Sequence, residues 1–309
     1  MSGGADAARG TGGATGSAAA PLPGSPLSSG TAVPVTGEVA NTHPGGPAPG
    51  GDPILGGAPA PNLSTPSEVF GGFRLRAVGG GPLRGAWIFR SCELARISGE
   101  EAAFLVNDLN IGAVYDIRNQ WEVAAHPEPY LMGAKTVALE PSTERRRKDA
   151  QSRLVAGVIG EYGKPEERMR LNYRRYVREY PLIGAALRSL ASERRAALVH
   201  CVNGKDRTGV LCAVLLRASG AHADDVMADY LATNAANAER IAQEAARLGA
   251  GMTDGEREIL LSFLEARPSY LQAFFDEVDA LYGSFERYVR DGLRLTDAQR
   301  GSLAALLAR

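Results

Sequence analysis

The chain is poor in cysteine. Three occur in 309 residues, Cys92, Cys201 and Cys212. No two stand at C-x-x-C spacing, which argues against a zinc site and against a disulfide framework. Net charge is nearly absent as well. A formal charge of −1 gives no whole-molecule field to draw nucleic acid or an anionic membrane, so any anion binding must be local. No run of eighteen apolar residues is present, and no transmembrane helix is expected. No basic stretch followed by an apolar core stands at the N-terminus, so a secretory signal is not expected and the expected compartment is the cytoplasm. What is present, 44% apolar and 22% charged residues, fits a soluble globular protein.

Residues 1–66 lack aromatic side chains altogether and hold 11 of the 18 prolines. Gly, Ala, Pro, Ser and Thr dominate. Such a stretch cannot bury enough apolar surface to offset its ordering entropy, so a disordered tail is expected. A docking or export role is the other reading of it.

From Ser67 the pattern is that of a folded domain, 67–309. "FRLRAV" (73–78) and "GAWIFR" (85–90) read as short strands around a glycine-rich turn. In "SGEEAAFLVNDLN" (98–110) Ser98 precedes Glu101 by three residues, a capping-box signature, and apolar residues then recur at helical spacing. "GAVYDI" (112–117) and "KTVAL" (135–139) read as buried strands. Residues 165–192 read as helix interrupted near Pro181. "AALVH" (196–200) reads as a strand, and "TGVLCAVLLRAS" (208–219), apolar nearly all round, as a buried helix in which Cys212 is inert packing. Strands alternating with helices predict an α/β fold with a largely parallel sheet.

Between that strand and that helix lies "HCVNGKDRTG" (200–209). It either grips a phosphate, as nucleotide loops do, or attacks one. A nucleotide loop needs GxxxxGK followed by Ser or Thr. Here Asp206 follows Gly204-Lys205, and Val199 stands five before Gly204, so that reading fails. Attack fits better. The amides of Val202, Asn203, Gly204 and Lys205 can converge on one oxyanion, helped by the partial positive charge of the helix N-terminus. The same field, with Lys205 and Arg207, favours Cys201 as a thiolate, the form that is nucleophilic. Arg207 offers a planar fork for two phosphate oxygens. Thr208 can hydrogen-bond the sulfur. Gly204 and Gly209 leave room for close backbone approach, and His200 orients the loop.

This string resembles the HCxxGKDRTG signature of a bacterial and fungal branch of tyrosine-protein phosphatases, which includes the mycobacterial PtpB-like, atypical dual- and triple-specificity lipid phosphatases. "FRSCEL" (89–94), "YDIRNQWEVAAHPEP" (115–129), "ADYLATN" (228–234) and the stretch 282–303 are similar to further elements of that family. The resemblance implies a protein-tyrosine-phosphatase-like fold and two-step hydrolysis through a cysteinyl-phosphate, with neither metal nor cofactor. It implies phosphotyrosyl proteins or phosphoinositides as partners. Members exported without classical signals make secretion the alternative to a cytoplasmic location. Arg118 is a candidate substrate-binding residue, and Arg90 with Ser91 reads either as pocket floor or as a strand cap.

The Trp-Pro-Asp acid of the best-known tyrosine phosphatases is missing. The family implies Asp206 as general acid, assisted by Asp116. Asp116 reads equally as a strand-end carboxylate paired with Arg118, and Glu128 in "HPEP" is a further candidate. Lys205 reads as a second cation for a multiply phosphorylated headgroup or as support for the thiolate. Asn203 tops the loop, where the family usually has a small residue. The run "ERRRKD" (144–149) reads as a solvated face or a lipid-recruiting patch. Residues 231–267, broken at Gly249–Gly251, read as a two-helix lid or as ordinary packing helices. The reading from a different class is a pseudophosphatase that binds phosphorylated partners without turnover.

Overall fold

Among the described residues five strands form one sheet in the order β1-β2-β5-β3-β4. They are β1 (Arg76–Ala77), β2 (Ile88–Ser91), β3 (Ile111–Asp116), β4 (Lys135–Ala138) and β5 (Ala196–His200). β1 is antiparallel to β2, and every other pairing is parallel. The computed structural model describes residues 71–83, 85, 87–139 and 164–308. The 1–66 stretch and the basic run 144–149 lie outside them.

β5 is central because both its faces are apolar. Ala197 and Val199 enter one core and Ala196 and Leu198 the other, the period-2 alternation of a strand. Its register aligns His200 with Ser91 of β2 and Asp116 of β3. These three residues form a row at the carboxyl edge of the sheet, where open α/β sheets bind ligands. "KTVAL", expected to be buried, departs from the reading: in β4 only Val137 is buried, because β4 is the outermost strand of the sheet.

Helices follow the predicted stretches closely. They are α1 (Gly99–Ala103), α2 (Gln120–Ala125), α3 (Glu167–Glu179), α4 (Leu182–Leu190), α5 (Asp206–Ala218), α6 (Ala223–Ala236), α7 (Ala238–Leu248), α8 (Asp254–Leu264), α9 (Pro268–Tyr282), α10 (Phe285–Arg287) and α11 (Asp297–Ala308). Ser98 and Glu101 form the expected capping box on α1. The chain then widens into one π-helical turn, Phe104–Asp108, which apolar spacing did not reveal. Pro181 separates α3 from α4, as its missing N–H requires. α5 is buried on all sides, packed on α4, α6 and α11. Among the described residues no helix is long and apolar enough to cross a membrane.

Candidate active site

Cys201 stands directly after β5, 3% exposed, and α5 begins five residues later at Asp206. The turn between them is tight enough to demand glycine. Gly204 has φ +64°, and a Cβ there would lie 2.5 Å from the Ser91 carbonyl oxygen. Its own carbonyl accepts from Arg90 Nη2 at 2.8 Å. A Cβ at Gly209 would press on the Tyr230 ring at 3.0 Å. The loop is thus held against β2, with the unpaired N–H groups of the first turn of α5 around it.

Arg207 is gripped by Glu122 of α2 through both guanidinium ends, Nη1–Oε2 2.6 Å and Nη2–Oε1 3.0 Å. Glu122 Oε2 also accepts from the Asn119 N–H at 2.8 Å, so the residue that caps α2 aims the arginine. Burial works against the guanidinium's charge. Cys201 and Glu122 more than reverse that, and its pKa is raised well above the ordinary value. Thr208 Oγ1 is buried and has no hydrogen-bond partner among the described residues, and its residue is fully enclosed.

Several expected phosphate contacts are placed otherwise. Arg118 is buried among acceptors: Asp116 (Nη2–Oδ2 2.8 Å), Glu93 (3.2 Å), Glu128 (3.2 Å) and the His126 carbonyl (2.9 Å). Arg90 bonds Asp229 at 2.8 Å as well as Gly204. Both guanidiniums are therefore held by protein acceptors: Arg90 braces the loop, and Arg118 is fixed in the wall of a cavity of about 690 Å³ that Asp116 and Glu128 also line. Asp116, 5% exposed, is paired with Arg118, as its structural reading expected. Burial would raise its pKa, but hydrogen bonds from Arg118 and the nearby His200 hold it below the usual carboxylate range. Glu128 accepts from the Leu94 N–H at 2.8 Å and sits 3.3 Å from His200 Nε2, so it too is part of the frame. Burial disfavours a charged His200, yet Glu128 and Asp116 raise its pKa above the ordinary histidine value. Asp116, Glu128 and His200 bring metal-competent atoms within 4.8 Å of one another, but the cation between the two carboxylates is already Arg118.

Asp206 is the acid candidate that remains at the loop. It is about a fifth exposed, accepts from Tyr173 Oη at 2.9 Å and lies 3.2 Å from Lys205 Nζ. Lys205 is the largest departure. Its ammonium, 1% exposed, donates to the carbonyls of Phe263 (2.7 Å) and Glu265 (3.1 Å) at the carboxyl end of α8. With Asp206 that makes three oxygens for three hydrogens. The loop is therefore latched to α8, the second helix of the expected lid, and Asn234 clamps the next residue, Ala266, through both its backbone groups. Lys205→Met is expected to strand those carbonyls, lower stability by about 1–3 kcal/mol and speed protease cleavage at Gly249–Gly251. Denaturant unfolding and timed proteolysis check both.

Glu122, Glu93, Asp229 and Tyr173 were not singled out in the sequence. Only Glu122 carried a local signal, standing three residues after Asn119 at a helix start. The others act through contacts across more than twenty residues of sequence.

A strand-terminal cysteine, an arginine six residues on that Glu122 holds, and a helix N-terminus are the parts of a candidate phosphate-monoester site. The model of the tyrosine phosphatase family matches residues 70–309, and the chain belongs to that family. It is similar to a protein of Cupriavidus necator provisionally named a tyrosine-protein phosphatase, 29% identical over 73% of this chain and 81% of the relative. It is also similar to the triple specificity protein phosphatase PtpB of Mycobacterium tuberculosis, 31% identical over 68% of this chain and 86% of the relative.

Proposed function

We propose that the chain hydrolyses phosphotyrosine, and phosphoserine or phosphothreonine, in proteins through a cysteinyl-phosphate on Cys201. The observation that carries this is the Cys201 loop closing onto α5 with Arg207 fixed by Glu122. The thiolate sulfur attacks phosphorus, and the P–O bond to the substrate breaks. The leaving oxygen takes a proton from Asp206. Arg207 and the amides from Val202 to Lys205 hold the equatorial oxygens. Water then attacks phosphorus, returns a proton to Asp206 and releases inorganic phosphate and the sulfur. Thr208, whose hydroxyl has no partner among the described residues, is the side-chain donor available to that sulfur as it leaves.

The sequence's argument for a phosphoinositide was a second cation from Lys205. With that ammonium bonded to α8 carbonyls, phosphoproteins are the better reading. The test is phosphate release by the full chain from phosphotyrosyl and phosphoseryl peptides and from short-chain phosphoinositides. Release should vanish in Cys201→Ser. In Asp206→Asn kcat should fall about 10²–10⁴-fold. Release that survives Cys201→Ser would overturn the mechanism. Binding of vanadate without release by the wild type would make the protein a phospho-binding module.

A further inference from the structure

A cavity of about 470 Å³ lies beside the catalytic loop. Val202 and Asn203 form its loop-side wall, and α7 contributes Arg240 and Glu244. Arg74 and Arg96 enter from the segments on either side of β2, and Phe73 and Ile97 give it an apolar wall. Three arginines thus converge on one hollow beside the nucleophile's loop.

None of the three has a carboxylate within ion-pair distance among the described residues, unlike Arg76, Arg90, Arg118 and Arg207. The carboxylates that share the cavity are engaged elsewhere. Glu93 holds Arg118 (3.2 Å) and His126 (2.9 Å). Glu101 caps α1 through the Ser98 N–H (2.8 Å). Glu244 pairs with Arg247 at 2.5 Å. Arg240 Nε is buried without a hydrogen-bond partner among the described residues, and burial together with the Arg74 charge lowers the pKa of Arg240 against the opposing pull of Glu244 and Asp206. Among the described residues Arg74 makes one weak bond through its guanidinium, Nη1 to Cys92 Sγ at 3.3 Å. Its backbone sits at φ +57°, a strained conformation for a side chain of this kind. Three guanidiniums gathered at one hollow, none of them in an ion pair among the described residues, suit a phosphate.

We propose that Arg74, Arg96 and Arg240 form a subsite for a second phosphate of the substrate, carried by a phosphorylated residue flanking the phosphotyrosine. This rests on the phosphatase reading above. The loop rim, Val202–Asn203, separates the hollow from Cys201. A peptide backbone running over that rim can drop one phosphate on each side. Neighbouring phosphates on an inositol ring would instead enter one bowl together.

The full chain and its Arg96→Ala/Arg240→Ala variant would be assayed on p-nitrophenyl phosphate, on singly and doubly phosphorylated peptides, and on phosphoinositide mono- and bisphosphates. For wild type, kcat/KM should favour the doubly phosphorylated peptide by roughly tenfold or more. The double variant should lose that preference and keep its rate on p-nitrophenyl phosphate. No preference, or a preference that survives the substitutions, overturns the subsite. An arginine-dependent preference confined to the lipid pair overturns the peptide assignment. Equilibrium binding of the same peptide pair to Cys201→Ser needs no turnover. A twofold-phosphate preference there without catalysis by wild type would sink the enzyme reading and leave the subsite standing.

Discussion

Arg207→Lys is expected to lower kcat by about 10³-fold while the protein stays folded. Lysine keeps the charge, so the field at Cys201 survives. What it loses is the plane. Glu122 holds Arg207 through both Nη atoms, which fixes the remaining N–H donors in a geometry that a rotating ammonium cannot copy. Those donors matter most when charge spreads over the equatorial oxygens, so the loss belongs in kcat more than in KM. Glu122→Gln should show a smaller loss, because an amide can still accept one bond and cap α2. Steady-state kinetics of both variants, with a thermal melt as control, check the ordering.

Asp229→Ala is expected to cost about 3–5 kcal/mol of stability and to abolish activity at ordinary temperatures. Asp229 is 1% exposed and sits between two guanidiniums, Arg76 Nη1 at 2.6 Å and Arg90 Nη1 at 2.8 Å. Removing it leaves two buried like charges with no counter-ion. One of them, Arg90, also holds the Gly204 carbonyl, so the damage passes straight to the loop. Burial would raise the Asp229 pKa, but the two arginines hold it below the ordinary value. The stabilisation is therefore present above about pH 4 and is lost as pH falls through the lower folded-state value. Asp229→Asn keeps an acceptor and should lose less. Denaturant midpoints of the three proteins, at neutral and acidic pH, give the comparison.

The unequal legibility of this molecule follows from the range of the contacts involved. β5, α5 and the loop between them stand where the sequence put them, because period-2 burial, an all-apolar helix and Gly204 are local properties. The α1 capping box was readable for the same reason. The edge position of β4 was not, since exposure there depends on which strand lacks a neighbour. At the site, Cys201, Arg207 and Gly204 were identified from one decapeptide. The partners of Arg118, Arg90 and Lys205 were not. A cation beside a phosphate loop reads as a phosphate ligand until the fold delivers Asp229 to Arg90 and the α8 carbonyls to Lys205. Asp116 illustrates the converse. Its pairing with Arg118 two residues on was visible in the sequence, and the pair is formed.

The most direct measurement is rapid quenching of the full chain during turnover of a phosphotyrosyl peptide, followed by acid-stable peptide mapping. The account predicts one added phosphoryl group on the peptide that contains Cys201, decaying with phosphate release and absent from Cys201→Ser. Phosphate release with no label on that peptide, or label on another residue, would contradict it.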